Sequence, residues 1–149
     1  MIEHAVEISI DQPVEVVFVF LTDAKNHPRW DESSVVMEPD QPGPWKAGLT
    51  FHEVRRMGPR RMSIQSKLVA LVPNESMDID SMTGPEFHGH WRLAPNGSGT
   101  ALKWSCEMGV AGPARIAQPL IARSFRKACD RNFAALKRIL EAAGDANSR

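Results

Sequence analysis

No tyrosine occurs among the 149 residues, and there are only two cysteines, Cys106 and Cys129. The missing phenol excludes a tyrosine general acid from any chemistry the chain performs. Two thiols cannot build a disulfide framework, and no Cys-x-x-Cys or Cys/His spacing suits zinc. The expectation is a reducing, cytoplasmic setting, no metal and no cofactor, with both thiols packed as small apolar side chains. Net charge is missing too: 18 Lys+Arg offset 18 Asp+Glu, so no whole-molecule field draws the chain to nucleic acid or an acidic membrane. The longest apolar runs, Val16 to Leu21 and Leu68 to Val72, fall far short of the ~20 residues that span a bilayer, and stable membrane insertion is not expected. The start, Met1-Ile2-Glu3-His4, lacks the basic-then-apolar order of a secretory leader. There is no Gly-x-Ser-x-Gly elbow of a hydrolase and no glycine-rich loop to cradle a phosphate. The basic segments carry no interleaved aromatics to stack on bases, so nucleic acid is not an expected partner.

What is present fits one ordinary globular domain, expected over 1–144 with a flexible tail at 145–149. Glu3 to Ile10 alternates with Val6, Ile8 and Ile10 on one face, which predicts a half-buried strand. Asp11-Gln12-Pro13 reads as a helix start, with Asp11 as cap and Val17, Phe20 and Leu21 as the buried stripe of a helix to about Thr22. A second small helix is expected to end near Trp30. Six strand-like segments follow, at Ser34–Glu38, Thr50–Met57, Arg60–Leu71, Ser76–Met82, Glu86–Leu93 and Thr100–Met108, separated by Pro, Gly and Asn turns. Links this short allow antiparallel pairing only, hence a meander. The last element, from about Ala117 to Ala143, is a helix with Ile121, Phe125, Ala128, Cys129, Leu136, Ile139 and Leu140 on one side, ended by Gly144.

That order predicts an α+β domain in which a curved antiparallel sheet grips a long C-terminal helix, with two short helices after the first strand. The chain resembles the START-like, helix-grip (SRPBCC) superfamily, in particular its polyketide cyclase/dehydrase-like and lipid-transport-like branch. The carriers are Ile10-Asp11-Gln12-Pro13-Val14-Glu15-Val16-Val17-Phe18, Leu21-Thr22-Asp23 with Trp30-Asp31, Trp91-Arg92-Leu93-Ala94-Pro95 before Gly99-Thr100-Ala101-Leu102-Lys103-Trp104, and Asn132-Phe133-Ala134-Ala135-Leu136-Lys137. The resemblance implies binding of a hydrophobic small molecule, such as a lipid, isoprenoid or polyketide-like compound, in a cavity between sheet and helix. Its alternatives are a cyclase or dehydratase, or an interaction module without ligand. The chain is expected as a monomer or homodimer.

Alternation assigns the walls of such a cavity. Leu102, Trp104, Cys106 and Met108 share a face, as do Phe87, Gly89, Trp91 and Leu93, then Met62, Ile64, Ser66 and Leu68, then Met77, Ile79 and Ser81. Gly89 marks either a sheet bend or a close ligand approach. His88 and His90 fall on the opposite, solvent face. In Thr50–Met57 two registers compete; if Phe51 points inward, Glu53 and Arg55 put a carboxylate and a guanidinium in an apolar cleft, as ligand-orienting or catalytic groups or as a sheet-edge ion pair. Asn132 lies mid-face on the last helix, where its amide must find a strand group, a ligand or water. The expected ligand contacts are therefore Phe51, Met62, Ile64, Phe87, Gly89, Trp91, Trp104, Phe125, Cys129, Asn132 and Leu136. Charge is segregated as well. Residues 1–40 hold nine acidic and two basic side chains, and 115–138 hold seven basic and one acidic.

Overall fold

The structure, a computed structural model, describes residues 1–147, with side chains through residue 145. Strand β1 (Ile2–Ile10) leads into α1 (Val14–Leu21), a 3-10 turn at Ala24–Asn26 and the single-turn α2 (His27–Trp30). Six strands follow: β2 (Ser34–Pro39), β3 (Thr50–Met57), β4 (Arg60–Val72), β5 (Ser76–Ser81), β6 (Phe87–Asn96) and β7 (Gly99–Met108). A 3-10 turn at Gly112–Ala117 then starts α3 (Gln118–Asn147). All seven strands form one antiparallel sheet in the order β1-β7-β6-β5-β4-β3-β2. The meander is the anticipated helix grip, and β1 joins it by pairing Ile2 with Met108 and Ile10 with Thr100. Register shifts between Ser34 and Val36 and between Leu68 and Ala70 are bulges, which bend a strand and increase its twist.

Three local expectations change. Asp11 does not cap α1: its N–H donates to Glu141 Oε2 at 2.9 Å, and Gln12 Nε2 donates to the Leu140 carbonyl at 2.8 Å. This corner is tied to the end of α3 instead, and Pro13 enters α1 with no side-chain cap. Next, α1 buries Val14, Val17, Phe18 and Leu21, the i, i+3, i+4, i+7 set of a helix face; Phe20 stays half-buried, its ring under the Arg29 guanidinium at 5.3 Å. Finally, Gly144 does not end α3, which continues to Asn147. A Cβ at Gly144 would stand 2.5 Å from Gln12 Nε2, so this glycine lets α1's approach pack against the helix rather than terminating it. The expected tail is thus helical over its first part, and Ser148 and Arg149 lie outside the described residues.

The grip has two unlike halves. In one, Trp30, Trp91, Trp104 and Phe133 form an aromatic plug, with Phe133 5.0 Å from Trp104, 5.4 Å from Trp91 and 5.6 Å from Trp30 between ring centroids. Around it Leu68, Leu102, Leu136 and Leu140 are fully buried. Where a cavity was expected, Trp30, Trp91 and Trp104 meet ring to ring and pack on Phe133. Along its length α3 follows the β1 edge. Arg126 donates to the Glu3 carbonyl, His4 meets Asp130, and Lys137 bonds the Ser9 carbonyl. The inner faces of β4, β5 and β6 near the Gly58 and Gly84 turns are therefore not covered by the helix. Met62, Ile79, Phe87 and Met108 lie on the inner rows yet are only half-buried, and so are Ile121, Phe125 and Ala128 on α3.

Candidate functional site

β3 settles its own register. Phe51 and Glu53 are buried at 0% and 7% exposure, so Phe51, Glu53, Arg55 and Met57 form the inner row and His52 and Arg56 the outer one. Cross-strand pairing sets Arg55 opposite Met62 and Glu53 opposite Ile64, at the border between the filled and the open half.

The Arg55 guanidinium is the hub of that border. Nη1 donates to Glu53 Oε1 at 3.2 Å, and Nη2 donates to Asp31 Oδ2 and to Ser33 Oγ, both at 2.6 Å. Ser66 Oγ donates to the other Glu53 oxygen at 2.5 Å. Asp31 Oδ1 accepts from the Ser33 N–H at 3.0 Å, the Ser33 hydroxyl at 2.8 Å and Asn132 Nδ2 at 3.2 Å. The Asn132 carbonyl oxygen in turn accepts the Glu32 N–H at 3.1 Å. Five elements of chain converge: α2 and the turn after it, β2, β3, β4 and α3.

Burial alone would raise the Asp31 pKa, but the Arg55 charge, His27 and the hydrogen bonds from Arg55 and Ser33 overrule it and hold this carboxyl at about 2. Burial likewise opposes the charge on Arg55, while Asp31 and then Glu53 keep the guanidinium more firmly protonated than usual. His27 lies beside the cluster, Nδ1 3.0 Å from Ser34 Oγ and Nε2 3.6 Å from Asp31 Oδ2. Its burial outweighs the neighbouring carboxylates and lowers its pKa, so it is a neutral imidazole at neutral pH. Two acids therefore face one base. Arg55 is the group that reaches the cleft, with 24% of its side chain exposed. Two of its five N–H groups, Nε–H and the second on Nη1, have no partner among the described residues.

Of the residues expected from the sequence, Glu53, Arg55 and Asn132 are joined in this cluster; Met62, Phe87 and Phe125 are half-buried, and Ile64 is buried. Phe51 packs its ring 4.7 Å from Trp45, and with Leu136, Trp91 and Trp104 it belongs to the filled half. The space over Gly89 is taken by Phe87, whose ring would lie 3.1 Å from a Cβ there. Burial pushes the Cys106 and Cys129 thiols up to about 12. On the outer face His88 bridges Asp80 and Glu86, and His90 bridges Asp78 and Glu107. Sequence reasoning missed Asp31, His27, Ser33 and Ser34 as site residues. Ser66 on an inner row and Asp31 directly after a buried Trp30 were the available signals. No group of three or more His, Cys, Asp or Glu among the described residues is placed to hold a metal ion.

A sequence profile of the family described as polyketide cyclase / dehydrase and lipid transport matches residues 1–141. The chain belongs to that family. No curated protein matches it by sequence. Among solved structures, TTHA0849 from Thermus thermophilus superposes with a TM-score of 0.77 at 16% identity, over 95% of this chain and 98% of that one. The di-domain ARO/CYC StfQ from the steffimycin biosynthetic pathway gives 0.77 at 14% identity, over 97% of this chain and 52% of its own. Ara h 8.0201 gives 0.66 at 13%, over 94% and 97%. At such identities these likenesses establish the family's helix-grip fold and leave its chemistry to the site. No helix among the described residues is long and apolar enough to cross a membrane.

Proposed function

We propose that the chain binds a neutral, largely apolar small molecule in the open half of the grip, with its polar end against Arg55. The observation that supports this reading is that Met62, Ile79, Phe87 and Met108 on the inner rows of the sheet and Phe125 on α3 are half-buried, not fully enclosed in the core. The apolar surface these side chains still expose would be worth ~25 cal/mol per Å² if a ligand covered it. A ligand of lipid, isoprenoid or polyketide-like character covers them. The two unpartnered N–H groups of Arg55 suit a carbonyl or hydroxyl acceptor. A ligand carboxylate would be the third negative group around one guanidinium in a poorly solvated place, which desolvation and repulsion oppose.

A cyclase or dehydratase with Glu53 as general base is the weaker reading. Both Glu53 oxygens already accept hydrogen bonds, from Arg55 and Ser66, and the group is buried. Native mass spectrometry of gently purified protein, followed by solvent extraction, tests the proposal. A reproducible added mass that releases an uncharged apolar compound is expected. Matched long-chain alcohols and acids then separate by thermal shift, the alcohol stabilising and the acid not. A clean unliganded mass with no shift across such a panel overturns ligand binding, and a preference for the acid overturns the assignment of charge.

A further inference from the structure

Nine large hydrophobic side chains are exposed among the described residues, and five of them, Met1, Met57, Met82, Ile116 and Leu120, gather at one end of the molecule. The strand registers place them together. β1 begins opposite the end of β7, β6 begins opposite that same end, and the β3–β4 turn and the β5–β6 link lie along the same edge of the sheet. The chain leaving β7 adds Ile116 and Leu120, the two most exposed of all at 91% and 77%. Isolated exposed hydrophobics are ordinary on a protein surface, whereas a set drawn from four separate segments around one cleft mouth marks an interaction surface.

The exposed charge around this rim is mostly positive, with Glu3 and Glu86 as its exposed acids. Arg60 and Arg61 stand exposed on the β3–β4 hairpin, and Arg115 and Arg123 flank Ile116 and Leu120. A groove of about 340 Å³ beside them runs between Arg115 and Arg126 over Ile2 and Ala122. Glu86, the acid of the β5–β6 link, is turned back onto His88 Nε2 at 3.1 Å. We infer that this end of the molecule docks on an anionic lipid bilayer. Ile116, Leu120 and the methionines enter the boundary between headgroups and acyl chains, and the arginines meet lipid phosphates while their stems lie along apolar surface. A bilayer is the occupant that fits. It presents apolar depth beneath a layer of negative charge, and it demands no fixed register from side chains carried on separate loops. Docking in this manner is peripheral and reversible, because no helix among the described residues spans the membrane. It also brings the mouth of the cleft to the surface of the lipid. The inference goes beyond ligand binding and does not depend on what the cleft holds.

Co-sedimentation of the full chain with vesicles tests it, using phosphatidylcholine alone and phosphatidylcholine mixed equally with phosphatidylglycerol. The protein is expected to pellet with the mixed vesicles at low salt, less with the neutral ones, and progressively less as salt rises. Arg60→Gln with Arg61→Gln should weaken binding to mixed vesicles roughly fivefold per arginine, and Ile116→Ser with Leu120→Ser should weaken binding to both kinds. These side chains are exposed, so an unchanged thermal midpoint verifies that the fold is intact. Arg138→Gln, on the far part of α3, should leave partition unchanged. Phe125→Ser, which removes a cleft wall, should lose ligand uptake and keep pelleting, so the two readings fail separately. No partition into mixed vesicles at low salt overturns the inference, as does equal loss from Arg138→Gln and the rim variants. So does self-association that Leu120→Ser abolishes without any vesicle binding, which would assign the rim to a second copy of the chain.

Discussion

Removing Arg55 is the sharpest perturbation of the buried cluster. Asp31 and Glu53 are 6% and 7% exposed, and Arg55→Met would strand both carboxylates without their cation. Breaking a buried pair by deleting one partner costs about 3–5 kcal/mol. The pH dependence gives a second, independent handle. Asp31, whose ordinary value is 3.8, is held at about 2 in the folded chain, which stabilises the fold by about 2 kcal/mol at neutral pH. Because the folded value is the depressed one, that contribution is complete above 3.8, and it is lost as the pH falls from there through about 2. In the variant, burial acts on Asp31 without its main opponent, so its pKa rises and acid no longer removes this contribution. The stability gap between the two proteins should therefore narrow from pH 7 toward pH 3. Urea unfolding followed by tryptophan fluorescence measures it, since Trp30, Trp91 and Trp104 sit in the core. Arg55→Lys, which keeps the charge and loses the fork that reaches both carboxylates, should fall between. A loss below about 1 kcal/mol at pH 7, or a gap that widens in acid, would refute the cluster as a source of stability.

Trp104→Ala should cost about 3–5 kcal/mol, because it opens the aromatic plug beside Phe133 and Trp91; a loss under 1 kcal/mol on urea unfolding would mean the plug collapses into the space. Both thiols should be inert to a disulfide reagent in the native state and react only on unfolding, since burial holds them at about 12; rapid labelling of folded protein would contradict their placement. Asp80, then Glu86, raise the His88 pKa above its ordinary 6.5. That contribution is complete below 6.5, and it is lost as the pH climbs through the raised value. His88→Gln should therefore flatten the thermal midpoint over this range, and parallel profiles for variant and parent would remove the bridge from the account.

The fold was legible because periodicity and turn chemistry agree along the chain. Every strand segment expected between Ser34 and Met108 forms, and the inner rows Leu102-Trp104-Cys106 and Met62-Ile64-Ser66-Leu68 face as alternation requires. Errors arose where long-range contacts outweigh local signals. Asp11 looks like a helix cap until Glu141, 130 residues away, takes its N–H. Gly144 looks like a helix stop until Gln12 packs on it. Half of the candidate site was readable, since Glu53 and Arg55 share a strand face and Asn132 interrupts an apolar one. The other half, Asp31 and the serines, lies in a turn with no periodicity, and only the folded chain brings Asp31 to Arg55 across 24 residues. The filled half of the grip was not readable at all, because alternation tells which way an indole points and not whether it meets another.

The place of β1 at the edge of the sheet governs how the chain is born. Among the described residues its sole ladder partner is β7, about a hundred residues later. At ribosomal speeds of ~5–20 residues per second, β1 is left without a partner for several seconds. During that time Ile2, Val6, Ile8 and Ile10 present an apolar strand with a free edge, the kind of segment that chaperones hold and that aggregates when they do not. Each hairpin from β2 to β7 closes with a neighbour made moments earlier, so the slow and vulnerable event in making this protein is the return of its first strand.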